Sequence, residues 1–176
     1  MRLVSISDGY IEFLREKCPN VMDNKYEERK HTRKYLGVIL TIGEFNYFAP
    51  LSSPKPYDYK SDGSIRKGDL FCSRMVLNDG GVYKLYGKIM YKNMIPVPES
   101  VITSYSLNDE TDEKYKALVQ NELVWISLHI GEINEKAAKI YRYQHDERNM
   151  NDPRRSKVVN FSMLEDACRL YKEFVK

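Results

Sequence analysis

Ser52, Ser53 and Lys55 bring two hydroxyls and one ammonium together in Tyr47-Phe48-Ala49-Pro50-Leu51-Ser52-Ser53-Pro54-Lys55. Hydroxyls donate hydrogen bonds to phosphate oxygens, and a fixed cation offsets the charge that develops when a phosphoryl centre is attacked. Pro50 and Pro54 each hold a backbone φ near about −65° and push the preceding residue toward extended geometry. The three groups are therefore predicted on a stiff turn that ends a half-apolar strand. Proline and serine are also ordinary turn residues, so a plain surface turn is the competing reading.

Other chemistries lack their residues. His31, His129 and His145 do not combine with Cys18, Cys72 or Cys168 in any metal-ligand spacing. There is no GxxxxGK[ST] or GxGxxG loop for a nucleotide and no G-x-S-x-G elbow for a hydrolase serine. No cofactor is implied. One metal-free reaction suits hydroxyls and a cation: attack of an RNA 2′-OH on its own phosphodiester, leaving a 2′,3′-cyclic phosphate and a 5′-OH. The substrate carries the nucleophile, so the protein has only to position, move protons and neutralise charge. An ordinary lysine is a poor general base, which points Lys55 to an electrostatic or acid role.

The elements that must position these groups follow from periodicity. Residues 2–6 read as a strand, and Ser7 or Asp8 caps a helix whose apolar face is Tyr10, Ile11, Phe13 and Leu14. A polar loop covers 20–33. Tyr35–Ile42 and Phe45–Phe48 form a hairpin about Gly43-Glu44, and residues 54–69 read as a long functional loop. A second hairpin joins Leu70–Leu77 to Val82–Tyr91 through Asn78-Asp79-Gly80-Gly81, followed by an extended 94–98 and a short strand near 101–105. The chain then turns helical. The acidic cluster Asp109–Glu113 opens a helix with Tyr115, Leu118, Val119, Glu122, Ile126 and Ile130 on one stripe, broken at Gly131. A second helical segment runs over 134–143, a basic loop over 145–157, and Ser162-Met163-Leu164-Glu165 reads as a capping box for the last helix. Strands first and helices later predict an α+β class.

Composition sets the outer bounds. The 176 residues, 42% hydrophobic and 30% charged, predict one globular domain spanning 1–176. No apolar run of about 18 residues and no signal-like N-terminus point to a cytoplasmic protein, and the odd, scattered cysteines fit reduced thiols. The net charge of +3 is mild, but it is unevenly spread. Arg29-Lys30-His31-Thr32-Arg33-Lys34 and Arg154-Arg155-Ser156-Lys157 are dense basic runs, and Lys60, Arg66 and Lys67 lie in the loop between them. With 14 tyrosines, most of them core-edge residues, this distribution favours an anionic partner that offers flat faces.

Several stretches, taken in order, resemble one family. Ile6-Ser7 with Tyr10-Ile11-x-Phe13-Leu14, Arg33-Lys34-Tyr35-Leu36-Gly37-Val38-Ile39-Leu40, and the Tyr47–Lys55 stretch come first. Asn93-Met94-Ile95-Pro96-Val97 and Asn160-Phe161-x-x-Leu164-Glu165 follow. Together they resemble the ToxN/AbiQ toxins of type III toxin–antitoxin systems, bacterial endoribonucleases held inactive by a repetitive RNA antitoxin. The resemblance implies a compact fold in which a strongly twisted antiparallel sheet, like the core of small-barrel toxins, is wrapped by helices. It implies metal-independent RNA cleavage, processing of the antitoxin transcript, and inhibition by its pseudoknot repeats in a closed toxin–RNA assembly. Cellular and phage RNA would be substrates, no membrane or direct protein partner would be required, and the role would be abortive infection or plasmid maintenance.

Site residues carry over by position. Ser53 is the hydroxyl the family's mechanism needs most, Lys55 and Ser52 stand beside it, and Ser52 takes the place of a frequent Thr. Arg33, with Lys34 as rival, falls where a basic residue binds near the scissile phosphate, and Tyr10 is expected at phosphate or base. Tyr26 is the nearest tyrosine upstream of that basic position. Arg29, Lys30, His31, Lys34, Lys60, Arg66, Lys67, Arg154, Arg155 and Lys157 are the expected backbone contacts. Two other readings share these features: a protein that docks structured RNA without chemistry, and a toxin neutralised by a protein.

Overall fold

The computed structural model describes residues 1–24 and 32–174. Strand β1 (Arg2–Ile6) leads into helix α1 (Asp8–Lys17), and the Oγ of Ser7 accepts the Tyr10 N–H at 3.4 Å to cap it. The alternating and near-continuous apolar runs that follow form strands β2 (Tyr35–Ile42) and β3 (Phe45–Ser52). Strands β4 (Cys72–Asp79) and β5 (Val82–Met90) form the second hairpin. Its turn needs left-handed backbone at Gly80 (φ 62°) and Gly81 (φ 92°), and the Oδ1 of Asn78 accepts the Gly81 N–H at 2.8 Å. Short strands β6 (Ile95–Pro96) and β7 (Ile102–Ser104) complete the sheet.

The order across the sheet is β4-β5-β3-β2-β1-β7, with β6 on β3, and every pairing is antiparallel. β3 is the hinge of this layout. Its residues Tyr47 and Phe48 pair with β6, whereas Leu51 and Ser52 pair with Ile89 and Lys88 of β5. Pro50, expected to begin a turn, lies inside β3, at the point where the strand changes neighbour. A proline without an N–H is tolerated where the ladder is interrupted.

Helices α2 (Glu113–Leu128), α3 (Ile130–His145) and α4 (Phe161–Phe174) fill the second half of the described chain. Asp112 caps α2, its Oδ1 accepting the N–H groups of Lys114 and Tyr115 at 3.1 Å. The break between α2 and α3 falls at His129, not Gly131, which is helical. His129 stacks on Trp125 at 3.9 Å between ring centroids, and its Nδ1 lies 2.7 Å from the Trp125 carbonyl. The last helix is also capped differently from the expectation. Asn160 Oδ1 accepts the Met163 N–H at 3.1 Å, Ser162 turns to His145, and the carboxylate of Glu165 accepts the hydroxyls of Tyr47 and Tyr141. One contiguous core joins the sheet to the helices through Leu14, Leu36, Phe48, Ile89, Ile126, Ile140 and Phe161. The α+β class is as expected. No helix among the described residues is long and apolar enough to cross a membrane.

Candidate functional site

Ser52 is the last residue of β3, and its Cα partner across the sheet is Lys88. Ser53 and Lys55 are exposed immediately beyond it. Asp58, fully buried, fixes this turn from below. Its Oδ2 accepts the Lys55 N–H at 2.8 Å, and its own N–H donates to the Lys55 carbonyl at 2.9 Å. Pro56–Asp58 forms the intervening helical turn. The same carboxylate meets Lys88 Nζ at 2.7 Å and the Arg74 guanidinium at 2.9 Å. Burial pushes the Asp58 carboxyl up, but hydrogen bonds from Lys88, the Lys55 N–H and Arg74 outweigh it and hold it below the usual range. One carboxylate facing two cations leaves net positive charge beneath the hydroxyls. The Lys88 ammonium also lies 4.6 Å from the ring centroid of Tyr57, which is 66% exposed.

The basic entry to β2 supports the other side of this strand end. Arg33 is buried and donates from Nε to the Asp23 carbonyl at 2.7 Å and from Nη1 to the Leu51 carbonyl at 2.9 Å. It therefore ties the residue before Ser52 to the segment after α1, a positioning geometry. The Lys34 carbonyl accepts the Leu51 N–H at 2.8 Å. Its ammonium lies 4.6 Å from the Tyr105 ring centroid and 3.3 Å from Ser5 Oγ; burial lowers its pKa, while the Glu110 charge acts in the opposite sense.

Tyr10 does not meet the expectation of a phosphate or base contact. It is wholly buried, its hydroxyl donates to the Pro96 carbonyl at 2.7 Å, and its ring packs edge-on against Tyr171. The periodicity that put it on the apolar face of α1 describes its place. Arg155 is likewise committed, donating to the Gln144 carbonyl at 3.0 and 2.8 Å. Arg154 forms a bidentate pair with Asp152, while Lys157 is exposed. Lys60, Arg66 and Lys67 are exposed on the 54–69 segment, where Arg66 Nε donates to the carbonyls of Tyr57 and Tyr59. Tyr26, Arg29, Lys30 and His31 lie outside the described residues.

Sequence reasoning passed over Tyr57, Asp58, Arg74, Lys88 and Lys92, which surround a cleft of about 400 Å³ next to the turn. The local signal for Asp58 was present: an aspartate three residues after Lys55 suits a side chain that closes a turn on backbone N–H. Lys88 and Arg74 carried no such signal, because their approach depends on long-range strand register.

This arrangement can hydrogen-bond a phosphate and neutralise added charge on it. Residues 2–169 match the family described as Toxin ToxN, type III toxin–antitoxin system. The chain belongs to that family. It is 30% identical over 98% of its length, and 90% of the relative's, to the endoribonuclease AbiQ of Lactococcus lactis subsp. lactis. It is equally 30% identical, over 100% of its length and 95% of the relative's, to the endoribonuclease ToxN of Pectobacterium atrosepticum. Among solved structures, AbiQ, described as a lactococcal anti-phage endoribonuclease of the type III toxin–antitoxin system, superposes with a TM-score of 0.78 at 27% identity over 98% of both chains. A structure concerned with selective toxin inhibition by a non-coding RNA pseudoknot in bacterial type III systems gives 0.77 at 26% identity, again over 98% of both chains. The ToxN-family fold thus spans both the strand-end turn and the cleft.

Proposed function

We propose that this chain is a metal-independent endoribonuclease toxin whose reaction is centred on the Ser52–Lys55 turn. The single observation that carries the reading is the turn itself: two hydroxyls and a cation, the second hydroxyl and the cation exposed, on backbone locked by a buried Asp58. The substrate's 2′-oxygen attacks phosphorus, its proton passes to a base, the bond from phosphorus to the 5′-oxygen breaks, and a proton reaches the departing 5′-oxygen. Ser53 and Ser52 donate to the non-bridging oxygens. Lys55 offsets the charge that grows on them or protonates the leaving oxygen. Arg33 acts from behind by holding the Leu51 carbonyl. Rigid positioning matters here, since a pre-aligned nucleophile supplies much of the acceleration.

The same chain processes its own repetitive antitoxin RNA and is inhibited by the folded repeat in a closed assembly. Its relatives support this: one solved neighbour, at a TM-score of 0.79, concerns a processed non-coding RNA that regulates a bacterial antiviral system. Cellular and phage RNA are the substrates released from that control, the setting is the cytoplasm, and the role is phage abortive infection or plasmid maintenance. Residues 1–176 act as one unit.

The test is cleavage of total RNA by the purified chain with and without a strong chelator. New 5′-hydroxyl and cyclic-phosphate ends at an unchanged rate in chelator are expected. Loss of cleavage in chelator would contradict the metal-free reading, and RNA binding without new ends would leave a binding protein.

A further inference from the structure

We infer that the cleft beside the turn is a subsite for one unstacked ribonucleotide next to the scissile phosphate. In this subsite Tyr57 and Phe71 take the base, and Lys92 and Lys157 take a flanking phosphate. The inference rests on the ribonuclease reading and adds to it a place where sequence preference is set.

Four segments build the cleft and are tied to one another. Tyr57 and Asp58 continue directly from the catalytic turn, and Lys88 is the cross-strand partner of Ser52. Lys92 follows β5; its N–H donates to the Phe71 carbonyl at 3.3 Å, and its carbonyl accepts the Val159 N–H at 2.9 Å. Lys157 sits two residues before Val159, on the segment that leads to α4. A ligand in the cleft therefore lies on a rigid frame shared with Ser52 and Lys55.

The lining selects the ligand. Arg74, Lys88, Lys92, Arg154 and Lys157 line the cleft together with Asp58 and Asp69, five cations and two carboxylates. Counting Asp152, which pairs with Arg154, a local excess of two positive charges remains, and it favours an anionic ligand. Asp58 is occupied by Lys88 and Arg74, and Arg154 by Asp152. Lys92 and Lys157 have no acidic partner among the described residues. The aromatic surface is also available: Tyr57 is 66% exposed, and Phe71 is half-buried, its ring held edge-on by Tyr143 at 5.8 Å. A volume of about 400 Å³ lies at the small-molecule end of binding sites and far below a duplex, so a single splayed base with its phosphate fits.

The experiment compares the purified wild type with Tyr57→Ala, Tyr57→Phe and Lys92→Ala/Lys157→Ala on total bacterial RNA, sequencing 5′-hydroxyl ends and measuring rates across salt. The wild type is expected to show a base bias at a position flanking the cut. Tyr57→Ala should flatten that bias and slow cleavage about tenfold, while Tyr57→Phe keeps both. The double lysine variant should shallow the log–log salt dependence by about 0.7, the value for one phosphate contact to a single strand. Thermal melts at the wild-type midpoint accompany each variant. A folded Tyr57→Ala with wild-type bias and rate, or an unchanged salt slope in the double variant, would overturn the subsite and leave the ribonuclease standing. No new ends from the wild type would overturn the ribonuclease reading and the subsite with it.

Discussion

Asp58 spends its carboxylate on three partners at once, the Lys55 N–H, Lys88 and Arg74, without being exposed to water. Removing one partner of such a buried cluster leaves an uncompensated charge, which costs about 3–5 kcal/mol. Asp58→Ala is therefore expected to lower stability by that amount in a denaturant melt and to abolish cleavage, because Lys55 loses its backbone anchor. Asp58→Ala combined with Lys88→Met should recover much of the stability and none of the cleavage. The depressed Asp58 pKa has a definite sign: its stabilisation is present above the ordinary carboxylate value and lost as pH falls through the lowered one. Residue type and spacing singled out Ser52, Ser53 and Lys55 as candidates beside a plain surface turn, and the ToxN/AbiQ resemblance supplied their proposed roles. Asp58 was half-legible as a turn-closing aspartate, and Lys88 was hidden, since only the β3–β5 register brings it opposite Ser52.

At the scale of elements, the contact of α2 with β5 holds a second buried carboxylate. An added Cβ on Gly87 would lie 2.1 Å from Oε1 of Glu122, so the missing side chain is the notch that admits the carboxyl. Burial pushes Glu122 up to about 8 from the ordinary 4.5. The folded protein holds this proton more tightly than the unfolded chain does, so stability falls as pH rises between those two values. Glu122→Gln is expected to remove that slope and to raise Tm at about pH 9, with roughly 2–4 °C gained for each kcal/mol recovered. A melting temperature that falls at alkaline pH in the variant as steeply as in the wild type would contradict the assignment. The strands, both hairpins and α1 were readable from period and turn residues. The His129 break and the Asn160 cap were not, because a stacked imidazole and a cap one residue before the helix leave weaker local marks than the Gly131 and Ser162 signals that compete with them. Pro50 misled for the same kind of reason: its tolerance inside β3 comes from a change of neighbouring strand, a long-range fact.

Across the whole molecule, a cation-rich cleft lies beside the turn, and a ToxN-family fold holds the two in fixed relation. Tandem repeats of a few tens of nucleotides upstream of the gene are expected if its own RNA restrains it. The most direct measurement is inducible expression in bacteria of the wild type beside Ser53→Ala and Lys55→Ala, reading growth and RNA 5′ ends together. Both residues are exposed, so neither substitution should alter folding. Loss of a transition-state donor slows such reactions about 10²–10³-fold. Growth arrest with new 5′-hydroxyl ends in the wild type alone is the expected result. Equal toxicity, or equal harmlessness, of all three chains would contradict the account and return the turn to structure.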